Sequence, residues 1–117
     1  MIWRLQNHYS TNKRITAMVQ TDIIELAKKY KDVLSEVIEF DNIFLYGSYS
    51  RGTAKQYSDI DIAIIMKKCD DDYMKTLQLL WKLRNRIDSR IEPVLFIEDE
   101  DETGFLEEIK RTGIKIN

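Results

Sequence analysis

The stretch FLYGSYSRGTAKQYSDIDIAII, residues 44–65, decides the fold that this sequence predicts. Residues 43–46 form a short, continuous apolar run, which is typical of a buried strand, and residues 59–66 form a second one. The Gly-Ser dipeptide at 47–48 ends the first run and predicts a sharp turn, a single helical turn and then a polar loop. The second run opens with Asp-Ile-Asp, so its carboxylates are predicted at the start of a strand.

Three further segments have the three- and four-residue apolar spacing of amphipathic helices: residues 11–39, 73–87 and 101–111. An aspartate within residues 70–72 is expected to cap the start of the second helix. Gly113 is well placed to cap the end of the third. Each helix therefore has one face that is predicted to pack against a sheet.

The segment IEPVLFI, residues 91–97, predicts a third strand. Pro93 favours an edge position in the sheet, because proline cannot donate a ladder hydrogen bond. Apolar alternation at residues 114–116 indicates a short final strand. The predicted fold class is α/β (α+β), a small mixed β-sheet flanked by helices. We expect a single domain over residues 1–117, in which residues 1–10 form an N-terminal arm of uncertain structure.

Composition excludes several classes of protein. The chain has 117 residues, 44% of them apolar and 32% charged, with a net charge of −2. Without a basic field, stable binding to nucleic acid or to an anionic membrane is not expected. Cys69 is the only cysteine and His8 the only histidine, which excludes an intrachain disulfide and a cysteine-based zinc site. The sequence contains no apolar run of membrane-spanning length, and we expect a cytoplasmic protein.

Asp59 and Asp61 form the first candidate site. Side chains alternate between the faces of a strand, so both carboxylates are expected on one face, with Cα atoms roughly 7 Å apart. Two like charges beside apolar residues need a counter-charge, which one or two Mg²⁺ ions would supply. Oxygen ligands with no histidine or cysteine nearby favour magnesium or manganese over zinc. Taken alone, the pair also fits a turn cap followed by a solvated strand residue.

Gly47 and Ser48 form the second candidate site, at the junction between a buried strand and a helical turn. Backbone N–H groups at such a junction bind anions, glycine lets a phosphate approach, and the serine hydroxyl adds a donor. Arg51 and Lys55 lie just downstream and could neutralise a polyphosphate. Considered alone, the dipeptide is better explained as an ordinary turn with a serine cap, and only the combination with the carboxylates favours a binding site.

Glu92 is the third candidate, because a glutamate inside an apolar strand start calls for an explanation. If its strand pairs with the second one, Glu92 can reach the aspartates and accept the proton of an attacking hydroxyl. The alternative is a solvent-facing residue at a sheet edge. The acidic run at residues 98–102 is interpreted as a solvated loop and helix start.

The spacing of these residues resembles a known signature. Gly47-Ser48, ten intervening residues and then Asp59-Ile-Asp61 is similar to the motif of the DNA polymerase beta-like nucleotidyltransferase superfamily, and more closely to its minimal nucleotidyltransferase (MNT) branch. RIEPVLF around Glu92 and FLEEIKRTGIKI near the C-terminus fit the same family. The resemblance covers residues 15–117.

The resemblance implies a mixed sheet of four or five strands with flanking helices. It implies that Asp59, Asp61 and Glu92 are the catalytic residues and hold two Mg²⁺ ions. The implied reaction is an in-line displacement at the α-phosphate of a nucleoside triphosphate, with pyrophosphate as the leaving group.

For the nucleotide, the resemblance implies that Gly47 and Ser48 grip the triphosphate of ATP or another NTP, with a phosphate-binding role for Arg51. Proteins of the MNT branch are often paired with a helical HEPN protein in toxin–antitoxin systems. In such pairs the MNT protein is the antitoxin and can transfer AMP onto a tyrosine of the toxin. The resemblance therefore implies a HEPN-type partner.

The expected function is thus Mg-dependent transfer of a nucleoside monophosphate, AMP from ATP, to a hydroxyl of a partner protein. The chain is too short for a dedicated acceptor pocket, so we expect the partner to complete the site, with Trp3 and Leu5 as candidate contacts. Two alternatives stay open: a non-catalytic antitoxin that acts by contact, and an antibiotic-like small-molecule nucleotidyltransferase. A homo-oligomer is compatible with the sequence, and arginines 84, 86 and 90 form either an acidic-partner site or a solvated helix face.

Overall fold

The computed structural model describes residues 8–55, 58–70 and 72–117, with side chains described from Thr21 onward. Most of the predicted N-terminal arm lies outside these ranges, including Trp3 and Leu5 as candidate partner contacts. His8–Ser10 are the exception, because they form the first turn of a helix.

Helices and strands alternate along the chain. The elements, in chain order, are α1 (His8–Ser35), β1 (Asn42–Tyr46), α2 (Ser48–Arg51), β2 (Ile60–Met66), α3 (Tyr73–Arg84), β3 (Ile91–Ile97), a 3-10 turn (Glu98–Glu100), α4 (Phe105–Thr112) and β4 (Ile114–Lys115). In the described residues the strands form one four-stranded sheet in the order β3-β2-β1-β4. β1 is antiparallel to β2 and to β4, whereas β2 and β3 are parallel. The predicted fold class, a small mixed sheet flanked by helices, is confirmed.

The sheet has two different faces. One is covered by α1 and α3 and contains the larger part of the apolar core, to which Ile62 and Ile64 of β2 contribute with no exposed surface. The other is covered only by the short α4, whose Leu106 and Ile109 pack on a few apolar residues around Ala63. Because α4 is short, the end of this second face near the start of β2 is left uncovered by the described helices.

α1 ends earlier than predicted. The helix stops at Ser35 rather than at residue 39, because the N–H groups of Val37 and Ile38 both turn back to the carbonyl of Leu34. Val37, which the predicted helix would have included, is 50% exposed. The turn instead directs Ile38 and Phe40 against the core and leads the chain into β1.

α4 begins later than predicted, at Phe105 rather than near residue 101. Asp101 accepts hydrogen bonds from the Thr103 hydroxyl (2.7 Å) and from the Leu106 N–H (2.9 Å), and so caps the helix from outside. Gly104 enters the helix with φ +79°, a conformation that glycine adopts at low cost. These two features replace the first turn that the sequence pattern predicted.

The remaining elements follow the predictions closely. Asp72 caps α3 by accepting hydrogen bonds from the N–H groups of its first turn. β3 is an edge strand, as Pro93 predicted, and the N–H of Gly113 ends α4 by donating to Ile109 O (2.7 Å). No helix in the described part of the chain has the length and apolarity needed to cross a membrane.

The buried hydroxyl of Tyr30 provides a test of how α1 is joined to α3. It donates to Leu80 O at 2.7 Å, and the Tyr30 side chain has no exposed surface. Tyr30→Phe removes this buried hydrogen bond, so we expect the free energy of unfolding to fall by about 1.5 kcal/mol. Tyr73→Phe is the matched control, because its hydroxyl also donates to a carbonyl, Leu95 O at 2.8 Å, but the residue is 40% exposed.

We expect the control substitution to cost less than about 0.5 kcal/mol, since water can replace the lost hydroxyl. Urea denaturation of both variants measures the difference. Equal losses in the two variants would contradict the claim that burial of the Tyr30 hydroxyl sets its contribution.

Candidate active site

Tyr46, Asp61 and Glu92 lie side by side on the incompletely covered face of the sheet. The register pairs Asp61 with Tyr46 on β1 and with Glu92 on β3. Paired residues on neighbouring strands project from the same face, so the three side chains form one row across the sheet. All three are half-buried.

Asp59 joins this row from just outside β2. The strand begins at Ile60, one residue later than predicted, and Asp59 is exposed. Its charge nevertheless acts on both Glu92 and Asp61 and raises the pKa of each. The structure therefore brings together the three carboxylates that the sequence singled out. We use the name carboxylate row for Asp59, Asp61 and Glu92.

The carboxylates repel one another. Burial, followed by the charge of Asp59, raises the pKa of Asp61, while the Arg51 guanidinium acts in the opposite direction. Burial also raises the pKa of Glu92, and the charges of Asp59 and Asp61 raise it further. Burial and the two neighbouring carboxylates raise the pKa of the Tyr46 hydroxyl to about 12, which keeps it neutral as a hydrogen-bond donor.

The donor set fits a hard divalent cation. It consists of carboxylate oxygens alone, which Mg²⁺ and Mn²⁺ prefer to the nitrogen and sulfur ligands of zinc. In the described residues, no three side chains of His, Cys, Asp or Glu surround a common point as a ligand shell does. Instead, the three carboxylates act on one another as like charges, which a cation would neutralise.

Gly47 lies directly against the Asp61 carboxylate. Its φ is +73°, which disfavours any residue with a side chain. A Cβ atom placed here would collide with Asp61 Oδ2 and would lie 3.2 Å from Asp61 Cγ. Glycine is therefore required both by the backbone and by the space, because the turn after β1 passes beside the carboxylate row.

The first turn of α2 follows from this glycine. Gly47 precedes α2 and has no side chain, so it cannot cap the N–H groups of the first turn of that helix. Ser48, the first residue of α2, is half-buried. Arg51, the last residue of α2, is exposed, and its charge opposes the rise in the pKa of Asp61. The backbone N–H of Lys55 donates to Ser58 Oγ at 2.8 Å.

Tyr49 and Arg90 support the site and were not identified from the sequence. Tyr49 is fully buried, and its hydroxyl donates to Lys55 O at 3.3 Å and accepts from Arg90 Nη1 at 3.5 Å. Arg90 is itself held by Asp88 at 2.9 Å, and its carbonyl accepts from Ile60 N at 2.8 Å. Arg90 thus links α2 to the starts of β2 and β3. An aromatic residue directly after Gly-Ser is the sequence signal that could have identified Tyr49.

The interpretation of the arginines as a basic helix face is wrong, because Arg86 and Arg90 both lie beyond the end of α3. α3 ends at Arg84, and this guanidinium lies over the Trp81 ring at 4.3 Å and donates to Ile91 O at 3.0 Å. Arg90 lies beyond the helix in the ion pair with Asp88. Both residues fix the entry into β3 and are not available as a solvated helix surface.

A cleft of about 960 Å³ lies at the opposite end of the sheet. Its walls include Phe40, Met66 and the side chains of Lys31, Asp41 and Lys67, so its charges are mixed. None of the three carboxylates contributes to it. The carboxylate row, where hard oxygen ligands lie beside the first turn of α2, is therefore the candidate active site, and the cleft is not.

Gly47→Ala tests the close contact between the turn and Asp61. The added methyl group must displace the carboxylate and adopt a positive φ, so we expect the free energy of unfolding to fall by about 3 kcal/mol. Gly104→Ala is the matched control, since its φ is +79° but no atom lies within 4 Å of its Cβ position. This control should cost about 1 kcal/mol. Chemical denaturation measures both, and equal losses would show that the collision is relieved without cost.

Comparison with known proteins assigns the chain to a family. Residues 21–117 match the family described as polymerase beta, nucleotidyltransferase. A Methanocaldococcus jannaschii protein named “Putative protein adenylyltransferase MJ0141” is 26% identical over 99 residues, which cover 81% of this chain and 99% of that protein. A second protein of the same kind, MJ1215, is 33% identical over 72 residues, 62% of this chain and 83% of its own length.

Solved structures agree in fold. A crystal structure from Sulfolobus solfataricus, described as a “putative nucleotidyltransferase”, matches with a TM-score of 0.62 at 19% identity, covering 86% of this chain and 84% of that one. A chain in a crystal structure described as a toxin–antitoxin with AMP-PNP matches with a TM-score of 0.58 at 27% identity, covering 79% and 72%. Because the family match spans most of the chain and every residue of the carboxylate row, this protein belongs to the polymerase beta nucleotidyltransferase family and is a nucleotidyltransferase.

Proposed function

We propose that this protein transfers AMP from ATP onto a hydroxyl group of a partner protein, as the antitoxin of a HEPN-type toxin–antitoxin pair. The observation that carries the proposal is the row formed by Asp61 and Glu92, with Asp59 close enough to raise the pKa of both and the Gly47 turn directly beside it. Such a row places hard metal ligands and free backbone N–H groups within one site.

Two relatives support the choice of reaction. The M. jannaschii proteins are named as protein adenylyltransferases, which favours AMP as the transferred group and a protein as the acceptor. The toxin–antitoxin structure was obtained with AMP-PNP, an ATP analogue, which favours ATP as the donor and a toxin as the partner. The small size of the described domain agrees with an acceptor supplied by another chain.

Asp59, Asp61 and Glu92 would hold Mg²⁺, two ions in the proposal. When bound, the ions neutralise the triphosphate and lower the pKa of the acceptor hydroxyl. The raised pKa values of Asp61 and Glu92 fit this role, because charges that repel one another in the free protein bind a cation more strongly.

The remaining groups of the site position the nucleotide. The N–H groups at Gly47 and Ser48 donate to the phosphate oxygens, and the absence of a side chain at Gly47 allows the phosphates to lie against the turn. Arg51, exposed at the end of α2, adds a positive charge on this side of the row. Tyr49 and Arg90 hold the turn in place from behind.

The proposed step is an in-line displacement. The acceptor oxygen forms a bond to the α-phosphorus while the bond from that phosphorus to the bridging oxygen breaks, and pyrophosphate leaves with the electron pair. A carboxylate oxygen of Glu92 accepts the hydroxyl proton, which its raised pKa favours. Charge neutralisation and positioning supply most of the catalysis.

Transfer onto the protein encoded by the neighbouring gene tests the proposal. With labelled ATP and Mg²⁺, we expect wild type to label that protein and Asp59→Asn to reduce the rate by about 100-fold or more, because a proposed metal ligand is lost. Asp32→Asn, an exposed carboxylate of α1, is the matched control and should retain the wild-type rate. Mass spectrometry of the labelled protein identifies an added AMP.

The result also separates the alternatives. Neutralisation of the partner by Asp59→Asn without any label would support an antitoxin that acts by contact and would contradict the proposed transfer. Label on the partner that is equal in wild type and Asp59→Asn would exclude the carboxylate row as the site of the reaction.

Thermal unfolding tests the cation site. Because folding raises the pKa of Asp61 and Glu92, the folded protein binds protons more tightly than the unfolded chain. Stability from this source therefore falls as the pH rises from the ordinary carboxyl pKa through the raised values. Glu92→Gln removes the repulsion, so at neutral pH without metal we expect its Tm to exceed that of wild type by on the order of 3 °C.

Added Mg²⁺ should reverse the order. It should raise the Tm of wild type and of the control Asp32→Asn, and have little effect on Glu92→Gln. An equal response to Mg²⁺ in all three proteins would place the cation elsewhere on the chain.

A further inference from the structure

A ledge of half-exposed aromatic side chains begins at the carboxylate row. We use the name aromatic ledge for Tyr46, Phe96 and Phe105. The Phe105 ring meets the Tyr46 ring edge-on at 6.0 Å and the Phe96 ring at 5.9 Å. Phe105 is 47% exposed, an unusual position for a phenylalanine. Because Tyr46 is also the register partner of Asp61, the ledge and the row form one continuous surface.

The far side of the ledge is acidic. Seven carboxylates and no basic residue lie between residues 98 and 109. Three of them are engaged: Glu98 with Lys110, Glu108 with Arg111, and Asp101 as the helix cap. In the described residues, four others have no ion pair and are exposed: Asp99, Glu100, Glu102 and Glu107. We use the name acidic border for these four.

Positive and negative side chains thus lie on opposite sides of the site. Arg51 lies on the Gly47 side of the carboxylate row, and the acidic border lies beyond the ledge on the other side. A triphosphate is attracted to the first side and repelled from the second. The acidic border therefore disfavours the phosphates of a nucleotide on this side of the row, and it disfavours the phosphate backbone of a nucleic acid for the same reason.

We infer that the aromatic ledge and the acidic border form the docking surface for the acceptor, and that its occupant is a positively charged polypeptide segment of the partner protein. An apolar side chain of that segment packs on Phe105, and its lysines or arginines face the acidic border. This places a hydroxyl of the same segment next to the carboxylate row. The inference rests on the proposed function, which requires an acceptor, although binding of a peptide to this surface can be measured without any transfer reaction.

Fluorescence anisotropy with synthetic peptides tests the surface. The probes are two short fluorescein-labelled peptides with the same leucine and tyrosine positions, one rich in lysine and arginine and the other with glutamate in their place. The full chain is titrated into each without ATP or Mg²⁺. We expect the basic peptide to bind about tenfold or more tightly than the acidic one, and its binding to weaken as salt rises.

Two triple variants locate the binding. Asp99→Lys, Glu100→Lys and Glu102→Lys together should weaken binding of the basic peptide by about tenfold. The matched control reverses three exposed carboxylates, Asp22 and Asp32 on α1 and Glu36 directly after it, and changes the net charge by the same amount. The control should change binding by less than about twofold, because these charges lie on the far side of the sheet.

The apolar contact is tested by Phe105→Ala, for which we expect about fivefold weaker binding. Unchanged binding in the border variant, or an equal loss in the control, would overturn the inference. So would a Phe105→Ala protein that binds the peptide normally but has a raised KM for ATP, since the ring would then contact the nucleotide. A protein that binds the basic peptide at the border and transfers no AMP to any protein would contradict the proposed function and leave the docking surface supported.

Discussion

Repulsion among three carboxylates is the constraint on which the site depends. The parallel register of β2 and β3 places Asp61 directly beside Glu92. A shift of one residue would turn Glu92 into the apolar core and break the row, because neighbouring residues of a strand point to opposite faces. The apolar side chains of β2 and β3 that pack under α1 and α3 therefore fix not only the fold but also the distance between like charges. The fold holds together a charge arrangement that is unfavourable without a cation.

The two faces of the sheet have different roles, one in stability and one in holding the carboxylates. The face under α1 and α3 supplies the larger share of buried apolar surface, while the face under the short α4 leaves the row open. Gly47 connects the two functions, because it lets the turn after β1 pass against the Asp61 carboxylate without a collision. Most of the buried apolar surface therefore lies on one side of the sheet and the carboxylates on the other.

The sequence predicted what depends on local patterning. Apolar runs located β1, β2 and β3, and the spacing of Gly47, Asp59 and Asp61 located the site. Glu92 could be proposed only on condition that β3 pairs with β2, and that pairing is a property of the sheet. The contribution of Arg90 was beyond reach for the same reason, since its hydrogen bond to Tyr49 joins residues 41 positions apart. Helix ends were misplaced where side-chain caps such as Asp101 replaced a helical turn.

Binding of Mn²⁺, a paramagnetic substitute for Mg²⁺, tests the central claim most directly. In ¹H–¹⁵N spectra of the full chain, substoichiometric Mn²⁺ broadens the signals of the amides nearest to it. The account predicts that broadening begins at residues 46–49, 59–62 and 91–93, the three segments that meet at the carboxylate row. Broadening that begins instead at the acidic run of residues 98–102 would contradict it, because the cation would then follow the density of surface charge and not the register of the sheet.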